Sequence, residues 1–489
     1  MGRALVISCA AFSAIGGFLF GYDSGIASST IAQPQFIKYF EHPSDAVAGG
    51  IVSAFQGGAI IGCLTVTYLG DVLGRKRMIF LGSLIAIFGC ALQGGAVTIA
   101  MLIAGRFFAG IAVGQLSSTV PIYCAEIAPP NIRGLLAGLL QWMLSWGFFA
   151  AQWIGYGSTF STSSFQWRFP LSFQVVPALI LAIGILFLPE SPRWLMEKDK
   201  PDEALTTLRQ LHYNGHNDDF IDLEFTEMQT SIRAAGVNNK LSWTEIVKNP
   251  SWRRRLVLGC SIQAFGQLSG INVINYYGPR IYESLGISTS GALMITGING
   301  TTGIVENTII LLLIDKIGRI WPITIGAFGM AGCMLTNAIL NKKFPANATN
   351  PNSNALRAQV GMNFVFQLAF QSLGCISWIY PAEIFPTEIR ALGTSLAALT
   401  NWSLSLIFAQ CSPIALSSIG FNYFYFFFAF NLISGICYLA FYPETKGRTL
   451  EQMDALFEDE KAIPSLEYGD KAAEITTKNS QPTAHVEKI

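Results

Sequence analysis

Charge is scarce in this chain. Only 13% of its 489 residues are Asp, Glu, Lys or Arg, while 51% are hydrophobic. Soluble domains average about 25% charged residues, so a water-soluble globule is excluded and a membrane protein is indicated. The charges cancel to a formal net charge of zero. No basic patch offers a footing for nucleic acid. The nine cysteines fall mostly within or beside apolar runs and form no CxxC pair. They read as small packing residues, not as a disulfide or metal framework. His212 and His216 have an i, i+4 spacing that could suit a metal, but in a polar loop they read as lone surface histidines. No nucleophile with a base, phosphate loop or metal site occurs at usable spacing, so an enzyme is not expected, nor is a bound cofactor. No cleavable signal is evident, because the first apolar run continues without a cleavage site.

Long apolar runs are abundant. They recur near residues 4–24, 48–68, 79–97, 101–123, 135–157, 170–188, 256–277, 290–314, 321–340, 359–380, 393–416 and 423–442. Each is about 20 residues, enough to cross a bilayer as a helix. The expected fold is an all-α membrane protein of twelve transmembrane helices. Arg75, Lys76, Arg77, Arg133, Lys316, Arg319, Arg390 and the central Arg193, Arg253, Arg254 and Arg255 all fall on one side. By the positive-inside rule that side is cytoplasmic, with both termini. The loop over about 189–254 is the one long polar insert before the tail. Helical periodicity over 202–212 and 220–234, with Pro201 ahead of the first, predicts short amphipathic surface helices. The tail beyond about 458 is polar and reads as disordered. Asn347-Ala-Thr349 is a glycosylation candidate in an outward loop.

Residues 263–277 carry amides into a long apolar segment, where an unpaired amide costs several kcal/mol. Gln263 and Gln267 share a helical face, and Asn272 would lie about opposite on an unbroken helix. Gly266 and Gly270 lie between them, which predicts a break near Gly270 that turns the amides toward one central cavity. Such donors and acceptors suit a neutral polyhydroxylated ligand. Amides can also serve as interhelical glue.

The chain is duplicated. Asp71-Val-Leu-Gly-Arg75 returns as Asp315-Lys-Ile-Gly-Arg319. Glu126 and Arg133 return as Glu383 and Arg390, and Pro189-Glu190 returns as Pro443-Glu444. Each copy holds the same place in its half, which predicts two parallel six-helix repeats. The divisions are 1–188, a linker of short cytoplasmic helices over 189–254, 255–443, and a tail over 444–489. Two such halves rocking about a central site make an alternating-access transporter. Asp71, Arg75, Glu126, Arg133, Glu190, Arg193, Asp315, Arg319, Glu383, Arg390 and Glu444 are candidates for a cytoplasmic gate network. Plain orientation by positive charge would not explain the matched glutamates.

Six motifs carry a family resemblance: Gly21-Tyr-Asp-Ser-Gly25, Asp71-Val-Leu-Gly-Arg-Lys76, Gly105-Arg-Phe-Phe-Ala-Gly110, Pro189-Glu-Ser-Pro-Arg-Trp194, Gln267-Leu-Ser-Gly-Ile-Asn272 and Pro443-Glu-Thr-Lys-Gly-Arg448. Together, and in this order, they resemble the sugar porter family of the major facilitator superfamily, in its fungal style, over about 10–458. The resemblance implies that Gln263, Gln267, Asn272, Gln141 and Asn401 hydrogen-bond sugar hydroxyls. It implies that Trp378 stacks on the ring, and that Tyr276 and Tyr277 lie near the outward gate. Gly266, Gly303 and Phe370 depart from the family pattern and admit a larger or less polar substrate, and Ile320 departs in the second cytoplasmic loop.

Asp23 is an acid inside the first apolar run, a functional position by default. The resemblance pairs it with Arg106 in proton-coupled members. Glu306 is a second intramembrane acid, without a place in the pattern. The expected function is secondary active transport of a hexose or pentose, with proton symport driven by the proton gradient. The expected partners are a small-molecule substrate and the bilayer, with a functional monomer in the plasma membrane. The alternatives are a facilitated sugar carrier, a non-transporting nutrient sensor, or a carrier of a polyol, cyclic acid or secondary metabolite, with efflux possible for the last.

Overall fold

The computed structural model describes residues 2–129, 133–213, 217–235, 248–345, 352–386, 389–446, 453, 456 and 457. Among these, every regular element is helical. Ten stretches are long and apolar enough to cross a bilayer. One of them, Leu392–Phe441, has 50 residues. At 1.5 Å per residue that is about 75 Å, more than twice a bilayer core of about 30 Å. It folds back at Gly420, whose φ of 56° lies in the left-handed region. The helix Arg133–Ser158 completes twelve crossings.

The spans are, in order, Gly2–Ser13 with Ile15–Ile31, Asp45–Leu73, Arg75–Gly94, Ile99–Ile127, Arg133–Ser158, and Phe165–Phe173 with Val175–Ile185. The second half runs through Pro250–Leu268 with Ile271–Ser284, Thr289–Ile317, Ile320–Lys343, Ser353–Ile384, Arg390–Ile419 and Tyr423–Phe441. Several begin at a polar residue whose side chain caps the first turn: Ser44, Thr98, Ser288 and Asn352 each accept from a backbone N–H two or three residues on. That satisfies donors which hydrocarbon cannot. Span 1 reaches Ile31, beyond the expected end near 24, so Asp23 lies deep in its second piece.

Spans 2 and 4 show how composition sets packing. A Cβ on Gly58 would lie 2.0 Å from the Phe107 carbonyl oxygen, and one on Gly110 would lie 2.0 Å from that of Phe55. The two backbones touch because both faces lack side chains, the small-residue packing that replaces the hydrophobic effect in lipid. Apolar clusters lie mostly within one half, as with Leu19, Leu116 and Tyr123 in the first and Ile262, Met330 and Phe427 in the second. The halves meet where span 2 packs on span 11 and span 5 on span 8. Phe20, Phe55, Trp378 and Trp402 form a cluster between them.

The polar insert forms helices Pro192–Glu197, Pro201–His212 and Asp218–Ala235, close to the periodicity. His212 departs from its expected surface position. It is buried, with Nδ1 2.8 Å from Glu224 Oε2 and Nε2 3.0 Å from the Ile127 carbonyl, and it docks the insert on the end of span 4. Leu211 beside it is fully covered by the first half's core, which explains the burial. His216 and the candidate Asn347 lie outside the described residues.

Candidate substrate and ion site

Span 7 breaks where the glycines predict. Gly270 has a φ of 94°, between the helix ending at Leu268 and the one starting at Ile271. A side chain there would be strained by conformation, and its Cβ would lie 2.8 Å from Met334 and Phe427. Span 12 braces the break, because Asn431 Nδ2 donates to the Ser269 carbonyl at 2.9 Å.

The break swings Asn272 round to Gln267. Asn272 donates to the Gln267 side-chain oxygen, and Gln267 donates to that of Asn401 on span 11. Asn272 Nδ2 also donates to Ser405 Oγ at 3.1 Å, and Ser405 lies 3.4 Å from the Tyr276 hydroxyl. Asn401, Gln267, Asn272, Ser405 and Tyr276 thus form one polar chain between spans 7 and 11. Gln263 stands apart from it: Nε2 donates to the Ser377 carbonyl of span 10 at 2.8 Å, which makes it an interhelical tie. Trp378 follows that carbonyl and meets Phe20 of span 1 edge-on, with centroids 6.5 Å apart. The Gln141 amide nitrogen comes within 3.8 Å of the Cβ position of Gly374, one turn before Trp378. Tyr277 leaves the cluster and donates to the Ala409 carbonyl at 2.5 Å.

Asp23 and Arg106 form an ion pair, with side chains only 2% and 1% exposed. Arg106 also donates to the carbonyls of Asp23 at 3.2 Å and Ile51 at 3.3 Å, and lies 4.8 Å from the centroid of the Phe55 ring. A buried charge persists only when it is paired and hydrogen-bonded, and these groups supply both. Tyr276 feels the charge of both members of the pair. It therefore stands between the ion pair and the amide chain.

The loop motifs form two copies of one device. Arg75 Nη2 pairs with Glu126 at 2.9 Å, and Arg319 Nη2 with Glu383 at 2.7 Å. Glu190 accepts from the backbone N–H of Arg75 and Lys76, and Glu444 from those of Arg319 and Ile320. Each glutamate thereby caps the first turn of span 3 or 9. Gly74 and Gly318 precede those turns with φ of 86° and 96°. Tyr123 and Tyr380 donate to the carbonyls of Pro189 and Pro443. The two carboxyls differ. Burial pushes Glu190 above its ordinary value, despite N–H donors and Arg75. Burial also opposes the Glu444 charge, but four backbone N–H donors outweigh it and hold that carboxyl below its ordinary value.

These pairs join elements within one half, not across the halves. Arg193 stays out of the network and pairs along its own helix with Glu197 at 3.7 Å. The side chains of Asp71, Arg133, Asp315 and Arg390 lie outside the described residues. An ion pair across the halves occurs at the opposite end. There Arg280 of span 7 pairs with Asp45 of span 2 at 3.1 Å, and Ser53 donates to Gln410 of span 11 at 2.8 Å.

Sequence reasoning missed Ser405 and Asn307. Asn307 of span 8 donates to Ser145 Oγ at 2.6 Å and to the Gln141 carbonyl at 3.1 Å, tying span 5 to span 8. It follows Gly303 by one turn of the same helix. Spacing from Gly303 was its available signal. Ser405 gave none, because a serine in a span ordinarily bonds its own helix.

The chain matches the family described as "Sugar (and other) transporter" over residues 9–457. It is 39% identical to "MFS-type transporter criB" of Aspergillus cristatus, over 95% of this chain and 96% of that one. It is 34% identical to "MFS glucose transporter mfs1" of Aspergillus flavus, with 91% and 88% covered. It is also 34% identical to "Quinate permease" of Neurospora africana, with 95% and 90% covered. Its fold is similar to that of the proton:xylose symporter XylE bound to 6-bromo-6-deoxy-D-glucose, with a TM-score of 0.78, 24% identity, and 94% and 100% of the two chains covered.

Proposed function

The chain belongs to the sugar (and other) transporter family, and from that premise we propose that it takes up a neutral polyhydroxylated molecule, a hexose or pentose, by proton symport. It is a multi-pass membrane transporter and not an enzyme. The observation that carries the proton reading is the Asp23–Arg106 pair, sealed within the membrane and linked through Tyr276 to the amide chain. Protonation of Asp23 would release Arg106 and, through Tyr276, alter the amide chain that meets the substrate. Gln267, Asn272 and Asn401 would trade their mutual hydrogen bonds for substrate hydroxyls, while Trp378 would cover the apolar face of the ring. Gln141 would approach from the first half, and Gln263 would hold span 10 in place. Asp71, Arg75, Glu126, Arg133, Glu190, Asp315, Arg319, Glu383, Arg390 and Glu444 would act as paired latches that brace each half on the cytoplasmic side. The carrier would work as a monomer in the plasma membrane, with both termini cytoplasmic and no bound cofactor.

A second reading, transport of a cyclic hydroxy acid, draws on the relative named a quinate permease. One experiment separates them: uptake of radiolabelled glucose, xylose, polyols and quinate in cells lacking their own carriers, with and without a proton uncoupler, for wild type and Asp23→Asn. The expected result is sugar accumulation that the uncoupler and the variant both abolish, with exchange of sugar down its gradient retained. Uptake insensitive to the uncoupler would end the proton reading, and accumulation of quinate alone would install the second.

A further inference from the structure

Glu306 sits near the middle of span 8, where an ionisable side chain marks function by default. Its neighbours Val305 and Ile309 are exposed on the outer surface. The carboxylate turns inward instead, toward Gln371 on span 10. Its Oε2 is buried and receives no hydrogen bond. One turn earlier, Gly303 leaves the Gln371 amide nitrogen 3.3 Å from where a Cβ would stand, so no side chain at 303 screens the pair. Gln371 shares a face of span 10 with Gly374 and Trp378 at helical spacings of three and seven. Gln141 approaches that face at Gly374. Gln367, one turn before Gln371, also has a buried side-chain oxygen without a donor.

This patch therefore holds two acceptors that lack donors, on the face proposed above to meet the substrate. An ionised carboxylate only accepts hydrogen bonds. A substrate hydroxyl supplies the missing donor, and a bond to a charged acceptor is the stronger kind. A substrate carboxylate supplies no donor and adds a like charge. At about 6 Å and an effective dielectric of about 20, that repulsion corresponds to roughly 100-fold in affinity, and to about 3-fold at the dielectric of bulk water. We propose that Glu306 and Gln371 form a hydroxyl-reading subsite, and that Glu306 makes the carrier select neutral sugars and polyols over hydroxylated carboxylic acids. This rests on the transport reading above and assigns the substrate's charge class.

The alternative role is an interhelical tie. Glu306→Gln keeps such a tie, because an amide can still bond Gln371, while it removes the charge. The test uses two competitors with the same ring hydroxyls, quinate and its uncharged methyl ester, against labelled sugar uptake. The ratio of their inhibition constants within one variant is independent of how much protein reaches the membrane. In wild type the ester should compete about 3- to 100-fold better than the acid. Glu306→Gln should bring the ratio close to unity, and Glu306→Asp, which keeps the charge, should preserve most of the preference. A ratio unchanged by Glu306→Gln would overturn the subsite. If wild type at the surface takes up no sugar, the transport reading fails separately. The subsite is then read on purified protein, from thermal stabilisation by ester and by acid. Equal stabilisation by both in wild type would overturn it there as well.

Discussion

In the proposed proton coupling, Tyr276 is the link between the ion pair and the amide chain. Its hydroxyl lies 3.4 Å from Ser405 Oγ and feels the charge of the Asp23–Arg106 pair. Tyr276→Phe keeps the ring and removes only the link. One buried hydrogen bond contributes about 1 kcal/mol net, so the apparent substrate affinity should fall about 5-fold. The accumulation ratio should fall further, because the proton no longer reports to the amide chain. Uptake kinetics with and without an uncoupler check both. A change in affinity with undiminished accumulation would leave Tyr276 a binding residue only. At this scale much was legible in advance. Asp23, Gln267 and Asn272 stood out because amides and charges are costly in hydrocarbon, whereas Arg106, Asn401 and Tyr276 entered only through the family resemblance. Gln263 was legible as an amide, but its partner was not. A polar side chain four residues from another shares its face, yet the neighbouring helix decides what each one meets.

Among the elements, the starts of spans 3 and 9 repeat one design with opposite electrostatic outcomes. Glu444 is held below the ordinary glutamate value of 4.5 by backbone donors, so its contribution to stability is complete above 4.5 and is lost as pH falls below that through its folded value. Glu190 is held above 4.5 by burial, so the folded state binds its proton more tightly than the unfolded chain does. Stability from that group therefore grows as pH falls through its folded value toward 4.5, and is lost again as pH rises. Melting temperatures of purified protein across pH 3.5–7.5 should separate the two. Glu190→Gln should remove the gain on mild acidification, and Glu444→Gln should flatten the loss at the acid end. Profiles that match wild type would show that neither carboxyl titrates between folded and unfolded states in this window. The duplication was visible in the Gly-Arg and Pro-Glu pairs. Their arrangement within each half was not, because spacing alone cannot say whether Arg75 reaches Glu126 beside it or a residue of the other repeat. The break in span 7 was legible because Gly270 permits a positive φ that other residues resist.

The molecule as a whole carries an ion pair across its halves at the end away from the polar insert. Arg280 and Asp45 hold spans 7 and 2 together there, with side chains 31% and 45% exposed. An exposed pair contributes only about 0–1 kcal/mol, too little to lock a state but enough to bias one. Two states within a few kcal/mol of each other are what alternating access requires. Arg280→Ala should therefore shift the population toward opening at this end by up to about 5-fold, without unfolding either half. A cysteine placed at Gln410 reports the change, since its side chain bonds Ser53 and the Ala46 carbonyl across the same closure. Labelling of Gln410→Cys by an impermeant maleimide should be up to about 5-fold faster when Arg280→Ala is added. High salt should shrink that difference by screening the pair in the Arg280 background. Equal labelling rates at low salt would mean that apolar contacts, such as Tyr276 and Tyr277 packed with Ala409 in the cluster below, set the closure. On the proposed function, the order of effects follows from the magnitudes: the buried ion pair and amide chain would decide what is carried and with what, and a weak exposed pair such as Arg280–Asp45 would decide how often its side is open.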